Sequence, residues 1–275
     1  MSRSEPIYGA LHDVDRAVRT HLFGIAPNNS GSTFLKEALA TCRATWNLSR
    51  EGQRLFGFAG PATHDEGALI WSTESRWLSR LTDPGAYDWE RNRRAWYFQA
   101  FARDPEASVF YTKAPPFLLY VGELVRHFPH TKFLFMVRNP YAVCEGICRN
   151  LRCHSLARGR DLPTAAARHV VTCFDYQRRN VAAYGKRGVF FTYEAMCEDP
   201  EAVEEKIRAL VPELDDLRLR QRLLVKGNYN EVLTNMNGRQ IARLDAAQIA
   251  AFNRVFKGHR DVLDHFGYEL MEPGR

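Results

Sequence analysis

The chain has 275 residues, 45% of them hydrophobic, enough for a full core and for one large α/β domain or two small ones. Its 38 basic and 32 acidic side chains leave a net charge of +6, which favours anionic ligands, but the basic residues are dispersed and argue against a nucleic-acid surface. No run of about 18 apolar residues occurs, so no membrane span is expected, and the polar stretch from Met1 to Arg19 has no secretory core.

A short helix is expected around Val14 to Val18. The apolar run from His21 to Ile25 then reads as a strand. It feeds Ala26-Pro27-Asn28-Asn29-Ser30-Gly31-Ser32-Thr33, and a helix-compatible run follows to Arg43. Strand, tight loop and helix is the arrangement in which backbone N–H groups converge on a phosphate or sulfate. The loop lies where a Walker A motif would lie, yet Ser32 stands at the lysine position. An anion donor other than an ordinary nucleoside triphosphate is therefore expected. Phe56 to Ala59 reads as a second strand. Residues 60–107 hold Trp71, Trp77, Trp89 and Trp96 with Tyr87, Tyr97, Phe98 and Phe101, interleaved with arginines. They read as a helical, aromatic-rich cap over the sheet end. Packed core aromatics and an acceptor-binding wall both fit that composition.

Ser108 to Thr112 is rich in β-formers and ends at Lys113, and Pro115-Pro116 opens a helix running from Leu118 to His127. Lys132 to Val137 is a nearly continuous apolar run, the signature of a buried parallel strand. It ends at Arg138-Asn139-Pro140, where Asn139 suits an N-cap and Pro140 a first helical turn, giving a helix to about Arg152. A long helix is expected over Pro163 to Tyr184 and a strand over Val189 to Thr192, ending at Tyr193-Glu194. Helices follow around 200–210 and 215–225, and a last one spans Asp245 to Phe266, stopped by Gly267. The fold class implied is a P-loop-NTPase-like α/β fold: an open, mostly parallel sheet flanked by helices, as one domain over 1–275. Ligands of such sheets bind beyond the carboxyl ends of the strands.

Of the six cysteines, Cys144, Cys148 and Cys153 cluster near His154, but no CxxC pair occurs. Spacing by four on a helix reads as a buried face rather than a zinc site, so no metal is expected. Reduced thiols and the missing secretory core point to a cytoplasmic protein.

Four strand ends carry polar candidates: the 27–33 loop, Lys113, Arg138 and Tyr193. One bound polyanion would account for all of them together. In this order they resemble the sulfotransferases that use 3′-phosphoadenosine 5′-phosphosulfate (PAPS). Asn28-Asn29-Ser30-Gly31-Ser32-Thr33 resembles the family's phosphosulfate loop, P-(K/R)-S-G-(T/S)-T. Arg138-Asn139-Pro140-Tyr141-Ala142-Val143-Cys144-Glu145-Gly146 resembles its 3′-phosphate signature, R-(D/N)-P-x-x-V-x-x-S. Lys113-Ala114-Pro115, Tyr193-Glu194 with Asp199-Pro200, and Phe266-Gly267-Tyr268 resemble later strand-end and C-terminal motifs, so the similarity covers roughly 21–270. The resemblance implies transfer of a sulfuryl group from PAPS to a hydroxyl or amine of a small-molecule acceptor, with release of 3′-phosphoadenosine 5′-phosphate (PAP). It implies that Asn28 to Thr33 grip the 5′ end of the donor, that Arg138 grips the 3′-phosphate, and that Tyr193 stacks on or hydrogen-bonds the nucleotide.

Two positions depart from the family pattern. Asn29 replaces the basic residue that stabilises charge on the leaving oxygen, a role open to Lys113. Gly146 replaces a serine that touches the 3′-phosphate, a contact open to Arg149 or Arg239. The general base is expected at Glu66 or His64, with Glu74 a further candidate on the same segment. The alternatives are a P-loop kinase or NTPase, which would need Mg²⁺ and a Walker lysine, and a non-catalytic nucleotide-binding module, favoured by the uncharged Asn29.

Overall fold

The computed structural model describes residues 16–48, 51–52, 60–61, 63–83, 85, 87–104, 106–225 and 229–272. Eight strands are formed among them: β1 (Thr20–Ile25), β2 (Thr45–Leu48), β3 (Ala100–Ala102), β4 (Val109–Lys113), β5 (Thr131–Val137), β6 (Gly188–Thr192), β7 (Leu223–Val225) and β8 (Tyr229–Glu231). The α-helices are α1 (Ser32–Leu39), α2 (Ser75–Leu81), α3 (Trp89–Gln99), α4 (Val121–His127), α5 (Pro140–Leu151), α6 (Leu162–Tyr184), α7 (Tyr193–Glu198), α8 (Pro200–Leu210), α9 (Asn237–Ile241), α10 (Ala246–Phe256) and α11 (Arg260–His265).

Six strands make one sheet in the order β3-β2-β4-β1-β5-β6, parallel throughout except for the β2–β3 edge pair, and β7 and β8 form a separate antiparallel pair. All six residues of β1 are buried, as a central strand covered on both faces requires. Leu22, Leu134 and Met136 pack on one face with Phe34, Leu35 and Ile207, while Phe23, Phe133 and Phe135 pack on the other with Phe110, Phe117 and Trp96. Each fully buried phenylalanine contributes about 1.5–3 kcal/mol of transfer free energy. The chain leaves β1 towards β2 and leaves β5 in the opposite direction, towards β6. A crevice therefore opens between the carboxyl ends of β1 and β5, the ordinary ligand position in such a sheet.

Several expected elements differ. The stretch 215–225 is not a helix: a 3₁₀ turn at Pro212–Leu214 is followed by turns and bends that lead into β7. Leu217, Leu219, Leu223 and Val225 are buried while Arg218, Arg220 and Arg222 are exposed, a spacing that does not fit one face of a helix. The last helix is broken by a 3₁₀ turn at Lys257–His259, and the segment after Pro115 is a 3₁₀ turn (Pro115–Leu119) before α4 begins. β2 at Thr45–Leu48 is a strand that the sequence reading does not include, and β3 lies inside the segment expected to be helical. The strand expected at Phe56 to Ala59 and the start of the helix expected from Val14 lie outside the described residues. Within the aromatic segment, Trp96 stacks on Phe110 and Phe128 and joins the core on one sheet face. No described helix is long and apolar enough to cross a membrane.

Candidate active site at the strand ends

The loop after β1 turns sharply because two consecutive odd positions are left-handed, Asn29 at φ 58 and Gly31 at φ 83. Asparagine tolerates that region better than most side chains, and glycine has no preference against it. At Gly31 space demands glycine as well, since a Cβ would lie 2.5 Å from the Tyr193 ring. Helix α1 then begins without any side chain capping its first turn and without an acidic residue there. Its leading N–H groups face the loop unsatisfied by side chains. Within the loop, Ser30 Oγ and Asn29 Nδ2 are buried and have no hydrogen-bond partner among the described residues. Buried polar atoms are nearly always paired, so these two donors mark a place where a ligand oxygen fits.

Arg138 ends β5 beside this loop and is 5% exposed. Its Nε donates to Asn237 Oδ1 (2.8 Å) and its Nη1 to the Asn29 carbonyl (3.0 Å), and its Nη2 bonds Gln240. The guanidinium carbon lies 4.2 Å from the centre of the Tyr193 ring. All the acceptors are neutral, and burial pulls the guanidinium pKa below its usual value. Glu194 stands one layer back. Its Oε1 accepts from the Asn139 amide (2.8 Å) and from Asn237 Nδ2, and its Oε2 accepts from the Tyr268 hydroxyl (2.9 Å). Asn237 thus bridges Arg138 to Glu194, which explains why Tyr193-Glu194 and Gly267-Tyr268, distant in sequence, serve one structure. The Tyr193 hydroxyl donates to the Thr234 carbonyl (2.6 Å), and burial raises its pKa to about 12, so it is neutral.

Lys113 ends β4 on the other side of β1, also 5% exposed. Its ammonium pairs with Glu51 and lies 3.4 Å from Thr33 Oγ1 in the first turn of α1. Glu51 follows the carboxyl end of β2, and the Trp96 indole N–H donates to the neighbouring Gly52 carbonyl (3.1 Å), fixing the backbone there. An ammonium, a carboxylate and an open helix terminus therefore meet at one point. That combination can neutralise charge on a leaving oxygen and receive a proton.

The remaining expected residues fall as follows. Asn28 is buried under the loop, and Ser32, also buried, opens α1. The Asn29 side chain packs against Gly146, where a Cβ would meet its Cγ at 3.2 Å, and its Oδ1 accepts from Asn150 Nδ2 (3.3 Å). Arg149 bonds Glu145 (3.0 Å). Arg239 is exposed, and it is Asn237 and Gln240 of the same short helix that reach Arg138. His64 Nδ1 lies 3.3 Å from His154 Nε2, Glu66 accepts from the Thr63 amide, and Glu74 pairs with Arg160. Three site residues escape the sequence reading: Glu51, Asn237 and Gln240. For Glu51 the usable signal is its place after a parallel strand, and β2 is not among the expected strands.

The family model described as "Sulfotransferase family" matches residues 22–211. No curated protein sequence matches the chain. Among solved structures, a sulfotransferase from Alicyclobacillus acidocaldarius is similar at 15% identity and a TM-score of 0.53, over 92% of this chain and 98% of that one. A sulfotransferase from Mycobacterium avium is similar at 16% identity and 0.52, over 98% and 83%. A sulfotransferase domain from the curacin biosynthetic pathway is similar at 16% and 0.50, over 91% and 98%. At these identities the structures establish a shared fold.

Proposed function

The chain belongs to the sulfotransferase family, and we propose that it moves a sulfuryl group from PAPS to a hydroxyl or amine of a small-molecule acceptor, releasing PAP. The observation that carries this reading is the buried Arg138 guanidinium, bonded among the described residues to neutral acceptors only, beside two loop donors without a described partner. A buried cation without a contacting anion is costly, and a phosphate is the natural partner for a planar guanidinium. In this reading the donor's 3′-phosphate lies at Arg138, and its 5′ end lies on Ser30, Gly31, Ser32 and Thr33 at the start of α1. Asn28 and Asn29 shape the loop, and Tyr193 fixes Arg138 from below. Arg239 stays at the rim.

The donor supplies an activated sulfuryl group. Lys113 offsets charge on the leaving oxygen, the role that the uncharged Asn29 does not fill. As the acceptor oxygen or nitrogen bonds to sulfur, the bond from sulfur to the bridging oxygen breaks and the acceptor proton goes to Glu51. Glu51 is preferred to Glu66 or His64 because it is the carboxylate paired with Lys113 beside Thr33. A natural-product alcohol is a reasonable first acceptor, by analogy with the curacin-pathway domain. The test is calorimetric titration with PAP against AMP and ATP–Mg²⁺, then mass detection of sulfated product with PAPS and an alcohol panel. Selective PAP binding with turnover is expected. ATP–Mg²⁺ binding without PAP binding would overturn the reading, and PAP binding without turnover of any acceptor would favour a non-catalytic nucleotide-binding module.

A further inference from the structure

The longest helix, α6, carries buried polar side chains where apolar ones would ordinarily lie. Gln177 Nε2 donates to the Ile25 carbonyl (2.7 Å) and the Met136 carbonyl (3.1 Å), joining the carboxyl ends of β1 and β5. Asn180 Nδ2 donates to the Leu118 carbonyl (2.8 Å). Two turns before Gln177 stands His169, with no exposed surface. Its Nδ1 accepts from the Ser72 hydroxyl (2.7 Å), and its Nε2–H donates to Asn28 Oδ1 (3.2 Å). The same Asn28 oxygen accepts from the Trp71 indole N–H (3.2 Å), and Asn28 Nδ2 reaches the Ala68 carbonyl (3.5 Å). The Trp71 ring stands edge-on to the imidazole at 5.1 Å, and the Cys173 sulfur lies 3.5 Å from Nε2.

These contacts assign the tautomer. The Asn28 oxygen needs donors, so Nε2 carries the hydrogen, and Nδ1 takes the serine hydroxyl. Asn28 directly precedes Asn29, the left-handed residue at which the loop turns and whose carbonyl bonds Arg138. Side chains from two separate parts of the chain thus converge on one oxygen at the root of the loop. A buried asparagine oxygen with two donors has little freedom, and the turn above it inherits that rigidity.

We infer that His169 is a positioning residue for donor binding: with Ser72 and Trp71 it holds Asn28, and through Asn28 it presets the 29–31 turn that receives the donor's anionic end. This rests on the reading of the site as a PAPS site. A preset loop loses less freedom on binding, so His169 acts on donor affinity without touching the donor.

The experiment is calorimetric titration of the full chain with PAP, run well below each variant's own melting temperature. His169→Leu is expected to bind PAP about tenfold more weakly than the unaltered chain, and Ser72→Ala about threefold. His169→Gln, which keeps a donor near the Nε2 position, is expected to recover affinity to within about threefold. In an Asn28→Ala background, His169→Leu should add no further loss, since its route to the loop is gone. Unaltered affinity in folded His169→Leu, or an equal loss in the Asn28→Ala background, overturns the inference and leaves the PAPS reading intact. No PAP binding by the unaltered chain overturns both. Should His169→Leu fail to fold, Ser72→Ala decides the matter: unchanged affinity there overturns the inference, and a loss restored by Ser72→Thr supports it.

Discussion

Arg138 and Lys113 end the two strands that flank β1, and both are 5% exposed. Their surroundings are opposite. Arg138 donates to Asn237, Gln240 and the Asn29 carbonyl, all neutral, while the Glu194 carboxylate accepts from the Asn139 amide, Asn237 and Tyr268. Lys113 touches a carboxylate directly, Glu51. The first cation is oriented but not compensated, which suits holding a permanent dianion. The second is compensated, which suits a group whose charge is needed only while a bond breaks, with a proton acceptor at hand. In the proposed reading, binding and chemistry are thus divided between the two sides of β1.

The sharpest way to break this division is Arg138→Met. PAP affinity should fall at least about 100-fold by calorimetry, since truncating one partner of a buried charge pair costs about 2–5 kcal/mol. The melting temperature without ligand should move only a few degrees, because relief of the buried charge offsets the acceptors left unpaired. Affinity retained within tenfold would remove Arg138 from the donor site.

Glu51→Gln should act on the other side alone. Turnover is expected to drop about 100-fold with PAP affinity within threefold, the signature of a group used only in the reaction. Measured alongside, Glu66→Gln and His64→Gln should leave turnover within threefold. A reversal of that pattern returns the base to the 60–74 segment.

A third measurement concerns the support beneath the loop. Burial depresses the His169 pKa from 6.5 to about 3. Between those values the unfolded chain binds a proton that the folded chain does not, so stability falls as pH drops, by about 1.4 kcal/mol per unit. Above pH 6.5 the contribution is fully present. His169→Gln removes this dependence, and its acid-unfolding midpoint, followed by circular dichroism, should shift to lower pH. An unchanged midpoint would mean that the imidazole is protonated in the folded chain, contrary to its bonds with Ser72 and Asn28.

The parts of this architecture that could be read from sequence are those carried by short-range chemistry. The β1 loop, the buried run of β5 and the Asn139-Pro140 helix start are legible because strand, turn and capping residues adjoin one another. The partners of Arg138 are not legible in the same way: Asn237 and Gln240 come from a five-residue helix that no periodicity announces. His169 looks from sequence like one polar residue in an amphipathic helix, and only the packing of α6 under the strand ends brings it to Asn28. Glu51 is hidden because β2, a four-residue strand whose position is set by pairing with β4, is not announced by the sequence pattern. The buried Leu217, Leu219 and Leu223 lie at even spacings, which a helical reading of 215–225 conceals.

The smallest effect tests whether Asn29 rests on α5 as described. A Cβ at Gly146 would lie 3.2 Å from Asn29 Cγ and 3.3 Å from its Cβ, closer than most real contacts, so Asn29 must yield by a few tenths of an ångström. Replacing glycine by alanine inside a helix ordinarily stabilises by about 0.5–1 kcal/mol. In the unaltered background, crowding against Asn29 should cancel most of that gain. In an Asn29→Gly background, where the neighbour is gone and the φ of 58 suits glycine, Gly146→Ala should show the gain in full. Urea unfolding of the four chains measures the difference. Equal gains in both backgrounds would show that Asn29 does not lie on Gly146. The donor Nδ2, buried and without a partner among the described residues, would then belong to a different orientation of the loop side chain, and the proposed division between the two sides of β1 would rest on Arg138 and Lys113 alone.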